Sequence, residues 1–362
     1  MSHRAPKKGN RLASDDVRVH ADTGRTPAAK AEPVKKRQVS TKTKRLPTAP
    51  PPPPGLVASK ELLGLFERTY APFFDRPDIH ALQQTVKGHL FNRDYAAAFG
   101  APENLDAYVA RWSPSRALCY RTVFLDINEL MRDVFDVALR EGTQTNVLSI
   151  GGGAGAELAA AASAVRGCLP KQDPRFEHPP PTTSKLHLTA VDVAEWAPAY
   201  EPLLKNILKT YIPEKNAGIF SSDFVQADIL STDLAALVRP QTKLITLCFT
   251  TNELYTQSRG DTTKLLLSLG ALVEKGCLLL VLESAGSYST VQIGGKTFSM
   301  GMLLDHTLTG DDGEWEIIVA EEAKWYRLPQ PQMINGQVIG TGLKYPLTLE
   351  NMRYFVRVFR KK

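Results

Sequence analysis

The stretch NVLSIGGGAGAELAA, Asn146 to Ala160, constrains this chain more than any other. It reads as an apolar strand, a turn with four glycines in five residues, and an alanine-rich helix. A glycine turn between a buried strand and a helix opens many α/β folds, and the absent Cβ atoms let the backbone approach a ligand. Read as G-x-G-x-G, Gly151, Gly153 and Gly155 suit S-adenosylmethionine; read as G-x-G-x-x-A with Ala156, they suit a dinucleotide. The turn alone leaves both open.

The residues that follow alternate between short β-type runs and helical ones. LHLTAVDV, FVQADIL, KLITLCFTTN and GCLLLVLES continue the strands. AELAAAASAV, EWAPAYEPLLKNILKTYI, DLAALV and DTTKLLLSLGALVEK are the intervening helices. Such alternation implies a parallel sheet covered on both faces. EWEIIVAEEAKWYRLP and NMRYFVRVFRKK break the rule, with no helix between them, and predict an antiparallel closing hairpin. Two insertions stand out. Residues 167–185 form a Pro-rich loop, and residues 284–313 form a long connection expected to lie over the carboxyl edge of the sheet, where open α/β folds bind ligands.

Ahead of the glycine turn, residues 60–142 carry apolar side chains at three- and four-residue intervals and predict a helical cap. Ser113 before Pro114 reads as an N-cap, so a long helix is expected from there to about Gly142. Residues 1–55 differ again. They hold 13 Lys/Arg against 4 Asp/Glu and end near five consecutive prolines, Pro50 to Pro54. With few large apolar residues this tail is expected to be disordered, with a stiff spacer. Its cluster KKRQVSTKTKR suits a nuclear address or a phosphate-binding arm. The tail accounts for the net charge of +6, leaving 31 basic and 34 acidic residues in the rest. The organisation expected is therefore tail 1–55, cap 56–145 and catalytic domain 146–362.

No secretory signal or membrane-spanning apolar run is read. The four cysteines are scattered, without metal-ligand or disulfide spacing, and neither they nor the seven histidines suggest a metal site.

Three features bear on the cofactor, the first of them shared by both readings. Asp192 ends the second strand, where a carboxylate can accept from both ribose hydroxyls of an adenosine. Asp228 follows the third strand, placed to accept from the adenine amine with Ile229 packing on the ring, or else to cap a helix. The closing hairpin suits a class I methyltransferase better than a dehydrogenase. At the fourth strand's carboxyl end, Phe249, Asn252 and Glu253 stand where the acceptor is presented. Glu253 is a candidate general base, or else a helix-start acid favoured by the dipole. Glu157, opening the first helix, can hold the methionine amino group or merely favour that dipole.

The segments YVARWSPSRALCYRTVF (Tyr108 to Phe124), NVLSIGGGAGAE, LTAVDVAEW, LCFTTNELYT and GCLLLVLESAGSYSTVQIGG, in that order, resemble the fungal large-subunit (25S) rRNA uridine-N3 methyltransferases. The resemblance spans about Glu61 to Arg360, with RWSPSRALCYRTVF and FTTNELYT its most specific parts. It implies a Rossmann-like class I methyltransferase that uses S-adenosyl-L-methionine to methylate N3 of a uridine. Large-subunit rRNA or a pre-ribosomal particle would be the partner, and the nucleus or nucleolus, or else the cytoplasm, the place. A monomer is expected.

Under that resemblance the N3 proton must leave, with Glu253 preferred over Glu283 as base and Asn252 holding a uracil carbonyl. The base must be unpaired or flipped, against Phe249, Tyr255 or Trp112. Arg111 or Arg116 would pair with the methionine carboxylate or an RNA phosphate. Arg353, Arg357, Arg360, Lys361 and Lys362 would add a basic edge. Other readings are transfer to another RNA base or a protein, and a non-catalytic ribosome-assembly factor. Uridine C5 methylation is disfavoured, because it needs a nucleophilic cysteine and Cys248 sits in an apolar strand.

Overall fold

A computed structural model describes residues 54–127, 134–135, 144–168, 185–212, 214, 217–286, 289–311, 313–330, 332–334, 337–339 and 342–362. The expectations for the basic tail, for the far end of the long helix and for the Pro-rich loop fall outside these residues.

The sheet is built around β1 (Gln144–Ile150), whose side chains after Gln144 are all buried, as a parallel strand covered on both faces requires. β2 (Lys185–Asp192) and β3 (Phe220–Gln226) extend it to one side; β4 (Thr242–Cys248) and β5 (Leu278–Ser284) extend it to the other. Beyond β5 the order continues through β11 (Met352–Lys361) to β8 (Trp315–Tyr326), giving β3-β2-β1-β4-β5-β11-β8, while β9 (Gln332–Ile334) and β10 (Gln337–Ile339) pair with each other in a separate two-stranded sheet. β11 runs antiparallel to both β5 and β8, so the expected closing hairpin is present with its later strand inside. The chain leaves β1 in one direction and returns to start β4 in the other. This switch point opens a crevice at the carboxyl ends of β1 and β4.

One face of the sheet is covered by α7 (Ala156–Cys168), α8 (Ala197–Tyr211) and the cap helices, which share a single core with Val147, Leu188 and Leu280. The cap comprises α1 (Pro54–Thr69), α2 (Ala71–Phe74), α3 (Ile79–Phe91), α4 (Tyr95–Phe99), α5 (Pro102–Arg111) and α6 (Ser113–Asp126). The buried alanines 159–162 of α7 leave room for α6 to pack closely. The opposite face carries α9 (Leu234–Leu237), α10 (Thr251–Gln257), α11 (Arg259–Leu272) and α12 (Met300–Thr309) over Leu148, Ile245 and Val281.

Several expectations change. Ser113 is the first residue of α6 and not its cap; Trp112 holds the cap position without a capping bond. The Ser113 hydroxyl instead donates to the Ala154 carbonyl at 2.8 Å, tying α6 to the glycine turn. The helix closes at Ile127. The 284–313 connection is not simply a loop. It contains the hairpin β6 (Thr290–Ile293) and β7 (Lys296–Ser299) and then α12. Gly294 and Gly295 both take positive φ (54° and 78°), the two-residue turn that matches strand twist. Ser299 then caps α12, accepting from the Met302 N–H at 3.2 Å.

The basic edge does not form as expected. Arg357 is buried and paired with Asp305 (2.9 Å) and Glu322, Lys361 pairs with Glu314 at 2.7 Å, and Arg360 lies 3.6 Å from Glu316. Among the described residues no helix is long and apolar enough to cross a membrane.

Candidate active site

At the switch point two loops meet. Gly151 turns away from β1 at φ 76°, and a Cβ there would overlap the side chain of Thr250, which follows β4. Phe249, just before it, holds φ 62°, an uncommon conformation for a non-glycine residue and one that concentrates at functional sites. Its N–H donates to the Leu282 carbonyl at 2.7 Å. Strand β4 therefore ends at Cys248, and Asn252 and Glu253 lie in the first turn of α10.

The glycines are also required by packing within the protein. A Cβ on Gly153 would overlap the Trp196 indole and come within 2.8 Å of the Asp192 Cβ; one on Gly155 would lie 2.7 Å from the Leu203 methyl. The space they leave is filled by the protein, and that packing shapes the cavity floor. Asp192 is held over this floor by the N–H groups of Gly153 and Ala194, both at 3.2 Å.

The cavity, about 190 Å³, is lined by Gly151, Glu157, Asp192, Phe249, Asn252 and Glu253, with Arg116 and Glu283 among its walls. Arg116 stacks over the Phe249 ring, 4.8 Å from its centroid, and donates to the Tyr108 hydroxyl. Burial works against its charge, but Tyr108, Tyr120, Glu157 and Glu283 together raise its pKa above the usual guanidinium value. Four carboxylates thus face one guanidinium. Burial pushes Glu157 up to about 7, with Asp192 adding to the shift and Arg116 opposing it. Burial likewise lifts Asp192 to about 6. Glu253 reaches about 8 through burial and then the neighbouring Asp192 and Glu283 charges, again opposed by Arg116.

Glu283 is committed elsewhere. It accepts from the Ser284 N–H (2.8 Å), the Thr251 hydroxyl (2.9 Å) and the Asn252 N–H (3.1 Å), anchoring α10 to β5. Asn252 donates from Nδ2 to Ser289 Oγ at 3.0 Å.

The anticipated residues divide into two groups. Gly151, Glu157, Asp192, Arg116, Phe249, Asn252 and Glu253 converge on the cavity. The others lie apart. Arg111 pairs with Glu350, and Trp112 packs between its guanidinium (5.5 Å) and Tyr108. Ile229 is buried in the core of the second face. Asp228 closes a local turn through Leu230 N–H (3.0 Å) and accepts from Gln257 Nε2 at 3.0 Å. Tyr255 lines a neighbouring groove.

The sequence reading also missed residues. Tyr95 and Phe99, from α4, wall both this cavity and an adjoining one of about 790 Å³ that continues past Val193, Ala194 and Gln226. They carry no local signature, because only the packing of the cap brings them here. Val193 was legible: an apolar residue directly after the strand-ending acid, it is 51 % exposed and faces this second cavity.

The raised carboxylate pKa values make a prediction about stability. A group whose pKa is higher folded than unfolded stabilises fully below its unfolded value and loses that contribution as pH rises through the folded one. Here the loss runs from about pH 4 through 6, 7 and 8 for Asp192, Glu157 and Glu253. The ligand-free protein is expected to melt at least about 3 °C lower at pH 9 than at pH 5.5. Scanning calorimetry checks this, and a cationic ligand should narrow the gap.

The strand order, the single antiparallel strand second from the edge, and the acidic cavity at the β1–β4 switch point define a class I methyltransferase. Residues 66–360 match a family described as "putative SAM-dependent methyltransferase", and the chain belongs to that family. Its relative in Saccharomyces cerevisiae, the 25S rRNA (uridine(2843)-N(3))-methyltransferase, is 36% identical over 301 residues, 77% of each chain. Solved structures similar to it include magnesium protoporphyrin IX methyltransferase from Synechocystis PCC 6803 with bound SAM. That match has 9% identity, 79% of this chain, 98% of that one and TM-score 0.36. The N-methyltransferase NodS from Bradyrhizobium japonicum WM9 with S-adenosyl-L-homocysteine is another, with 16% identity, 72% and 97% coverage and TM-score 0.32.

S-adenosylmethionine is the cofactor, and the cavity suits it. Carboxylates outnumbering the arginine call for a cationic ligand, and the methyl donor carries a sulfonium and an ammonium group. Among the described residues no group of three His, Cys, Asp or Glu side chains is gathered as for a metal ion.

Proposed function

We infer that this chain methylates N3 of a uridine in large-subunit rRNA. The observation that carries the acceptor is the 36% identity to the yeast enzyme over 77% of both chains. The chemistry rests on the cavity. Glu157 would hold the methionine ammonium and Arg116 its carboxylate, Asp192 the ribose hydroxyls, and Val193 one face of the adenine. Bound there, S-adenosylmethionine supplies an electrophilic methyl group.

Glu253 is the base in this reading. A carboxyl held near pH 8 is matched to a weakly acidic imide proton, so transfer costs little in either direction. Glu253 would take up the N3 proton, which frees the N3 electron pair for the methyl group that the bound donor would supply. Glu283, already accepting three hydrogen bonds, is the poorer base. Asn252, oriented by Ser289, faces a uracil carbonyl, and Phe249 with Arg116 over its ring forms the wall. Asp228, Ile229, Arg111, Trp112 and Tyr255 are left with supporting roles.

The partner is rRNA, free or within a pre-ribosomal particle, bound by a monomer. Ribosome assembly in the nucleus is the setting. Mass spectrometry of nucleosides from large-subunit rRNA tests the acceptor: without this protein 3-methyluridine falls, and an unchanged level overturns the assignment. Calorimetry tests the donor. Wild type binds S-adenosylmethionine, whereas Asp192→Ala weakens binding at least about tenfold, the value of a charge-assisted hydrogen bond.

A further inference from the structure

The turn between α3 and α4 has properties that neither the cap's packing nor cofactor binding explains. Phe91, the last residue of α3, is 81 % exposed in a helix whose other large apolar side chains face inward. Its neighbour Leu90 lines the cofactor cavity, so the end of α3 that carries Phe91 lies beside it. The helix closes in a Schellman arrangement: Asp94 N–H donates to the His89 carbonyl (2.9 Å) and Arg93 N–H to that of Leu90 (3.1 Å). The left-handed position in that motif, usually glycine, is Arg93 at φ 57°. An arginine there costs backbone energy that a glycine would not.

Arg93, which also lines the wider cavity beside the donor site, borders a groove of about 210 Å³ whose walls include Asn252, Tyr255, Thr256, Gln292 and Arg259. Arg259 donates to the Gln292 carbonyl and so is held on the β6–β7 hairpin. Among the described residues the groove is lined by two arginines and no carboxylate, although the adjoining cavity holds four. The charge changes sign from the donor's chamber to the acceptor's approach. A basic groove beside an exposed aromatic ring fits a single RNA strand, whose phosphates are anionic and whose bases stack.

We propose that the α3–α4 turn receives the nucleotides flanking the target. Phe91 stacks on an unpaired base, while Arg93 and Arg259, both lining the groove, hold phosphates of the same strand. This rests on the rRNA reading above, and it gives the cap a task in substrate selection.

The test uses the full chain, unmethylated large-subunit rRNA transcribed in vitro, and tritiated methyl groups on the donor. Phe91→Ala raises KM for rRNA about tenfold, the worth of one base–aromatic stack, and leaves kcat and donor affinity unchanged. Phe91→Trp restores KM. Arg93→Gly keeps the left-handed turn that closes α3, so the fold is retained, yet KM rises and its salt dependence falls by about one phosphate's worth.

The proposal is overturned if both variants keep KM within about twofold of wild type, since one stack alone is worth about tenfold. It is equally overturned if kcat falls with KM unchanged. A defect seen only on assembled particles, with free rRNA unaffected, assigns the turn to a protein partner and overturns it too. Should wild type bind the donor but methylate no rRNA, the acceptor reading fails first and takes the proposal with it.

Discussion

Glu253→Gln is expected to slow methyl transfer about a thousandfold, within the 10²–10⁴ range of a lost general base, while S-adenosylmethionine still binds. Glutamine keeps the size and one oxygen of the side chain but cannot take up a proton. The pH dependence separates this role from a structural one. Because only the ionised carboxylate accepts a proton, the wild-type rate should climb with pH and level off above about 8, where Glu253 is held by burial and by the Asp192 and Glu283 charges. With the cationic donor bound, the inflection in kcat moves to lower pH than that in kcat/KM, since a nearby positive charge favours the carboxylate. The Gln variant should show neither inflection. A variant as fast as wild type would remove Glu253 from the mechanism.

Gly153→Ala carries the second large effect. The added Cβ overlaps the Trp196 ring and crowds Asp192, and Trp196 is only 2 % exposed, so the ring has nowhere to go. Overpacking of this kind costs about 1–3 kcal/mol, or several degrees in melting temperature. It should also dislodge the carboxylate that the Gly153 N–H now holds at 3.2 Å, weakening donor binding. Gly260→Ala, in the first turn of α11 with open space around the new methyl, is the control. That change should be neutral or stabilising, by up to about 1 kcal/mol. Equal melting and donor affinity in the Gly153 and Gly260 variants would refute the packing role of the turn.

These two residues also show what the sequence made readable. The turn, Asp192 and Glu253 are fixed by chain neighbours: each ends a strand or opens a helix, so one-dimensional pattern is enough to find them. Gly153 was found for an incomplete reason, because its neighbour Trp196 lies 43 positions away and the overlap exists only in three dimensions. Arg111 and Trp112 sit in the motif RWSPSR, which suggested contact with ligand. The helix turns them instead toward Glu350 and Tyr108, and Arg116, five positions on, reaches the cavity. Tyr95 and Phe99 could not be placed at all, since nothing local says which face of a cap helix meets the sheet. The Gly294–Gly295 hairpin was legible from its paired glycines between alternating residues and was passed over.

The position of β11 has a consequence for how the molecule folds. β5 and β8 do not pair with each other; β8 joins the sheet only through β11, which is made after both. Leu278, at the start of β5, stands in register with Arg360, 82 positions on (360 − 278). Until β11 arrives, the growing sheet carries at its edge an open strand with five consecutive apolar residues, Leu278 to Leu282, the kind of surface that recruits other chains. Such distant pairing is slow to form. Closure of the right half of the sheet should therefore be the late step in folding, and substitutions in β11 should reveal themselves first as aggregation during synthesis, before any loss of methyl transfer by the molecules that succeed in folding.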